Sequence, residues 1–336
     1  RAAGCGRRAV RYREAMARIG VIGAGAVGCY YGALLARGGH DVRFLMRRDL
    51  EAVRAHGLTV ESPLGGFSLA DVAAFATPEE IGPCDWVICS LKTTALAEAR
   101  GLVEPCLGPG TRIVALMNGL GVEDAFAWAG PERVFGAMAF VCINRGAPGV
   151  VRHLEYGRVN IGHVLDDPDE CERLRALFAS GGIDVAVAEN LRHARWEKLC
   201  WNIPFNGLSV AAGGIGTEAI VKDAWLRATA ERAMREVVAV GNADLGAIGS
   251  AARLDEPEIV QRMFMLTDTM GDYHTSMAID YVLARPLEVE MILGNPLRRA
   301  GELGIAAPTV TALYALVRAA DRRNQGMLPV ITPDRV

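Results

Sequence analysis

Arg18-Ile-Gly-Val-Ile22 runs directly into Gly23-Ala24-Gly25-Ala26-Val27-Gly28, and the residues that follow, to about Arg37, carry a helical pattern. A short apolar strand, a GxGxxG loop and a helix in that order are the opening of a βαβ unit shaped to hold a dinucleotide pyrophosphate. Each glycine has a mechanical role. Gly23 allows the tight turn, Gly25 lets a phosphate approach the backbone, and Gly28 lets the helix lie close on the strand, while the helix N-terminus adds N–H donors and partial positive charge. The bare motif is common, and its place between strand and helix is what makes it specific. The structural alternative is close strand-helix packing with no ligand.

Working outward, DVRFLM (41–46), DWVICSLK (85–92) and TRIVALM (111–117) repeat the rhythm of apolar strands joined by helical segments, which is that of a parallel sheet with crossover helices. Trp86–Leu91 and Arg112–Met117 read as buried central strands. From Val134 to Gly162 the chain is rich in Val, Phe and Ile, with turn signals at Asn144-Arg-Gly and Glu155-Tyr-Gly, which predicts antiparallel strands extending the sheet. IDVAVAEN (183–190) reads as the last strand, and beyond Leu191 the spacing is helical. The expected fold is α/β: an N-terminal Rossmann doubly wound sheet over residues 16–188 that binds NADP, then a C-terminal all-helical domain over 189–336 that takes the substrate. Residues 1–15 are Arg-rich without the apolar run of a secretory signal, so they read as a disordered extension with Met16 as the natural start.

Bulk composition narrows the classes. The chain has 336 residues, 51% hydrophobic and 22% charged, enough for two cores with a cleft between them. Its net charge of −3 comes without any basic stripe, which argues against nucleic acid as a partner and for a small molecule. The longest uncharged stretch, Leu199 to Thr217, contains Asn202, Pro204, Asn206 and several glycines, so it reads as buried interior and no membrane partner is expected. The eight cysteines show no CxxC pair and no metal spacing with His, as expected of reduced thiols in a cytoplasmic protein.

The end of the second strand decides the cofactor. A protein that binds NAD or FAD usually places an acid there for the ribose hydroxyls, whereas Met46 is followed by Arg47-Arg48. A guanidinium group binds a 2′-phosphate, which points to NADP (NADPH), although a solvated strand end is the plainer reading of the pair. Lys92 leaves the carboxyl end of the next central strand, where the ligand crevice of such sheets lies; it is either cofactor-facing or a solvated lysine. Asn118, in MNGLG after the following strand, is placed to hold nicotinamide or substrate, and Asn-Gly is also simply a turn.

In RWEKLCWNIPFNGLSV, Lys198, Asn202 and Asn206 fall at i, i+4 and i+8, one stripe on a helix whose neighbours are apolar. A buried lysine beside two amides needs a reason, either catalysis or an ion pair. Pro204 removes the backbone bond to Cys200 and is expected to loosen the helix beside the stripe. Of the six histidines only His274 is near a candidate residue, which gives no support to a histidine-based dehydrogenase.

From Met16 to about Leu316 the chain resembles the ketopantoate reductase family, on WEKLCWNIPFN with Lys198, Asn202 and Asn206, MNGLG with Asn118, HTSM with Ser276 and ARPLEVE with Glu288, twelve positions after Ser276. Arg47 and Lys92 also stand at the family's cofactor-facing positions. The resemblance implies NADPH-dependent reduction of 2-dehydropantoate (ketopantoate) to pantoate in pantothenate and coenzyme A biosynthesis. It makes Lys198 the general acid, with Ser276 and Glu288 on the substrate, and allows a homodimer. Glu288 is then expected beside Lys198, keeping it charged, with Asn202 and Asn206 holding the substrate. The chain departs from the family at LEVEMILGNP, where TEIDYxNG is frequent, and at Tyr273, where asparagine is common. Rival readings are a reductase of another 2-oxo acid or imine, a non-catalytic NADPH sensor, and a flavoprotein. Taken alone, Glu288 behind Pro286 and Ser276 near a helix start are ordinary structural residues.

Overall fold

The computed structural model describes residues 16–328; the expectation of a disordered extension over 1–15 falls outside them. Strands β1 (Arg18–Ile22), β2 (Asp41–Leu45), β3 (Leu58–Glu61), β4 (Phe67–Leu69), β5 (Ala73–Phe75), β6 (Cys84–Cys89), β7 (Leu107–Leu116), β8 (Val134–Arg145), β9 (Val150–His163) and β10 (Val185–Val187) form one sheet. Its order is β4-β3-β9-β8-β7-β6-β1-β2-β5, with β10 added on β9. The run from β8 through β7, β6, β1 and β2 to β5 is parallel. From β1 the chain winds first to β2 and later returns to β6 on its other side, so the crevice at the carboxyl ends of β1 and β6 is the topological switch point.

The central strands are buried on both faces, which is why they read as continuous apolar runs. Val21, Phe44, Ile88 and Val114 pack into one layer with the Ala26–Arg37 helix, and Ile22, Leu45, Val87 and Ile113 into the other. Beyond Leu191 every described element is helical, and these helices enclose their own core around Trp196, Phe205, Met234 and Leu293. None of the helices of the described residues is long and apolar enough to cross a membrane.

Three expectations change. A hairpin and a short strand, β3 to β5, lie between the second and third strands of the classical unit, where no strand was expected. Glu155-Tyr-Gly is not a turn: the β8–β9 reversal comes at 146–149, and Tyr156 and Gly157 instead form a bulge inside β9, with φ of 63° and 137°. The Leu191–Ala211 helix runs unbroken across Pro204, because the buried neighbours Ile203, Phe205 and Leu208 hold it by packing where one backbone bond is missing. The seven described cysteines are unpaired and buried, and burial raises every one of their thiols, Cys84 and Cys142 to about 11. None of these thiols is a ready nucleophile.

Candidate active site

The Gly23–Gly28 loop leaves β1 at the switch point. Gly23 has φ of 98°, and a Cβ there would stand 2.6 Å from the Leu91 backbone nitrogen. A Cβ at Gly28 would stand 2.3 Å from Ser90 Oγ, which donates to the Gly23 carbonyl at 2.8 Å. At Gly25 the same atom meets only the Gly23 carbonyl, at 4.0 Å. The fold therefore requires the outer glycines but leaves open space over Gly25, which is the vacancy a phosphate needs. Ala24, Ala26 and Val27 are half-exposed around it, and the first turn of the Ala26–Arg37 helix contains no acid and has no side-chain cap. Its positive end is thus unquenched. Gly25→Ala is expected to leave thermal stability unchanged while weakening dinucleotide binding by roughly an order of magnitude. Calorimetry and a binding titration on the same sample check this; unchanged affinity would refute the role of the loop.

Arg47 stands exposed just past β2, with no carboxylate paired to it among the described residues. The next acid along the chain, Asp49, is taken: Arg145 from the end of β8 bonds it, and Arg48 lies 4.0 Å away. The acid beside this strand end is charge-matched by Arg145, and the Arg47 guanidinium has no carboxylate among the described residues.

At the carboxyl end of β6, Lys92 reaches the helical region. Its Nζ donates to Asp280 Oδ2 at 2.5 Å and faces Glu288 Oε2 at 3.7 Å, and Glu288 Oε1 accepts the Thr93 backbone N–H at 2.8 Å. Burial pulls the Lys92 ammonium down, but Glu288 and Asp280 outweigh it and hold the group above its ordinary value. This corrects one expectation: Glu288 pairs with Lys92, not with Lys198. The reason is local. Glu288 precedes a π turn, Glu290–Gly294, whose Met291 carbonyl accepts the Leu120 N–H at 2.9 Å, so the segment is docked against the strand ends rather than against the lysine helix. Ser276 is exposed at the first turn of the Ser276–Val282 helix; Thr275, not Ser276, is the cap, and Asp280 is one turn further on.

The stripe lies on the Leu191–Ala211 helix as read. Asn202 Nδ2 donates to Asn118 Oδ1 at 3.3 Å, tying the stripe to the end of β7. Asn206 is buried and its Oδ1 has no hydrogen-bond partner among the described residues, an orphan that a bound hydroxyl would satisfy. Lys198 is half-buried, with Nζ 3.9 Å from the centre of the Phe140 ring and 5.9 Å from that of Trp201. Burial brings its ammonium down to about 8, against the opposing pull of the nearby Cys142.

Two residues went unnoticed in the sequence. Asp280 is one, legible only as the position a helical turn after Ser276. Arg195 is the other: buried, it bonds the Met117 carbonyl and donates to Ala115 O at 3.2 Å and Glu123 Oε1 at 2.8 Å, so it pins the strand end that carries Asn118. Its signal was a charge set between Ala194 and Trp196, on the same helix face as Asn202.

A doubly wound sheet with an open glycine loop, facing a helix that carries a depressed lysine and two amides, defines an oxidoreductase of the dinucleotide-binding kind. The family models for ketopantoate reductase PanE/ApbA and for its C-terminal region match residues 19–166 and 190–321. The 2-dehydropantoate 2-reductase of Nostoc sp. is 37% identical over 318 residues, spanning 92% of this chain and 97% of that protein. The crystal structure of 2-dehydropantoate 2-reductase from Geobacter metallireducens GS-15 is 44% identical, covers 90% of this chain and 99% of its own, and superposes with a TM-score of 0.86. The ternary structure of D-mandelate dehydrogenase with NADH and anilino(oxo)acetate shares the fold at a TM-score of 0.83 and 21% identity, over 92% of this chain and 99% of that one. This chain belongs to the ketopantoate reductase family.

Proposed function

We propose that this chain reduces 2-dehydropantoate to pantoate with NADPH, with Lys198 as general acid, in the making of pantothenate and coenzyme A. The observation that carries the proposal is Lys198 itself: a lysine with no carboxylate partner among the described residues, brought down to about 8 and set beside the Asn202–Asn118 bond that joins the helical region to the carboxyl end of β7. Gly23–Gly28 would receive the pyrophosphate, Arg47 the 2′-phosphate, and Lys92 and Asn118 the part nearer the reacting end. When bound, NADPH supplies the hydride.

The chain's own residues do the rest. The Lys198 ammonium donates to the substrate's carbonyl oxygen as negative charge grows there, and it stabilises that charge before the proton moves. Asn202, Asn206 and Ser276 hold the carboxylate and hydroxyl of the substrate, the unpartnered Asn206 Oδ1 accepting from the hydroxyl. Glu288 orders the site from the other side by holding the Thr93 N–H and Lys92. The unpaired cysteines accord with a cytoplasmic setting. A second reading has its own observation: Phe140, Trp201 and Tyr273 stand around or near Lys198, which favours a 2-oxo acid with a bulkier apolar tail.

Only the protonated lysine can donate, so kcat is expected to be flat at low pH and to fall as pH rises through about 8. A steady-state pH profile at saturating substrates checks this. A rate that climbs between pH 8 and 10 would rule out a lysine acid.

A further inference from the structure

An ammonium taken out of water is usually matched by a carboxylate, and even the more exposed Lys92 has Asp280 and Glu288, but Lys198 is met by a ring face. We propose that Phe140 is the positioning residue of Lys198, its ring serving in place of a counter-carboxylate to hold the ammonium charged and aimed into the site. The catalytic meaning of this inference rests on Lys198 being the general acid.

The contact is short: Nζ lies 3.9 Å from the centre of the ring, well inside the reach of a cation–π interaction. β8 is built to present this residue. Opposite it, β9 carries the Tyr156–Gly157 bulge, so that Phe140 pairs with Arg158 while Val141 pairs with Tyr156, and the register slips again between Cys142 and Ile143. Bulges bend a strand and re-aim its side chains, and a non-glycine residue held at a φ of 63° is a backbone cost that packing elsewhere must outweigh. Trp201, about one turn along the lysine's own helix, has its ring centre 5.9 Å from Nζ and is fixed by its indole N–H, which donates to Thr267 Oγ1 at 3.0 Å.

The other charged and titratable groups around Lys198 do not replace the ring. On β8 the group is Cys142, a thiol pushed up to about 11 and hydrogen-bonded by the Tyr273 hydroxyl from the segment before Ser276, so both are neutral. On β9, Glu155 is exposed across from Cys142. On the lysine helix, Glu197 is paired with Arg262 of the Glu256–Asp268 helix at 2.6 Å. Among the described residues the Phe140 ring face is thus the group that meets the ammonium at contact distance, and its loss should make Lys198 easier to deprotonate.

The experiment follows the pH dependence of Lys198 labelling by an amine-reactive reagent, read by mass spectrometry on the full chain, alongside the pH profile of kcat. Phe140→Leu keeps an apolar side chain but removes the ring, and both midpoints are expected to fall by ~0.5–1.5 pH units. Phe140→Tyr, which keeps the face, should titrate like the wild type. If Phe140→Leu does not fold, Phe140→Met fills similar space and is read in the same way. Equal midpoints in the leucine or methionine variant and the wild type would overturn the inference. The general-acid reading fails separately: if Lys198→Ala keeps its turnover while the labelling midpoint still moves in Phe140→Leu, the ring holds the ammonium but the ammonium is not the acid.

Discussion

Lys198→Ala is expected to lower kcat by roughly 10²–10⁴-fold while leaving the dissociation constant of NADPH nearly unchanged. The split follows from where the groups sit. Lys198 projects from the Leu191–Ala211 helix, whereas the Gly23–Gly28 loop, Arg47 and Lys92 all lie on loops at the carboxyl ends of β1, β2 and β6. Removing the lysine also removes a desolvated charge, so the protein should not lose stability in step with its rate. Pre-steady-state and steady-state turnover, with a fluorescence titration of the cofactor, separate the two quantities. A variant with near-normal kcat would make Lys198 a structural residue resting on Phe140.

Arg47→Ala is expected to raise the dissociation constant of NADPH by about 10- to 150-fold, the equivalent of roughly 1.5–3 kcal/mol for a charge-assisted contact to phosphate, and to leave that of NADH unchanged. Because Arg47 is exposed and carries no ion pair among the described residues, its removal should not disturb the fold. The neighbouring Asp49 already has its charge matched by Arg145. Equal losses for the two cofactors would remove Arg47 from phosphate recognition and reopen the choice of nucleotide.

What was legible in the sequence was whatever is encoded in local periodicity. β1, β6 and β7 are buried on both faces and so appear as unbroken apolar runs, and the Lys198–Asn202–Asn206 stripe appears because a helix repeats its face every turn. The three short strands β3, β4 and β5, of four, three and three residues, are too brief for alternation to register, and β3 pairs on one side with the distant β9. Tyr156-Gly157 carried a turn signature that the chain uses for a bulge, because the same positive-φ chemistry serves both. Partners across the cleft were least legible. Glu288 was expected at Lys198 and is found on Lys92 and the Thr93 N–H, a pairing that spans nearly two hundred positions and depends on how the π turn docks under Leu120. Arg195 and Asp280 were missed for the same reason: each is unremarkable among its chain neighbours and acquires its role only from the strand end it meets.

The most direct measurement is the oxidation of NADPH by the full chain across a panel of 2-oxo acids that includes 2-dehydropantoate, repeated with NADH. Turnover is expected with a kcat/KM highest for 2-dehydropantoate and higher with NADPH than with NADH. Turnover confined to another 2-oxo acid would contradict the substrate, a preference for NADH would contradict Arg47, and no oxidation with any member of the panel would contradict the reductase mechanism itself.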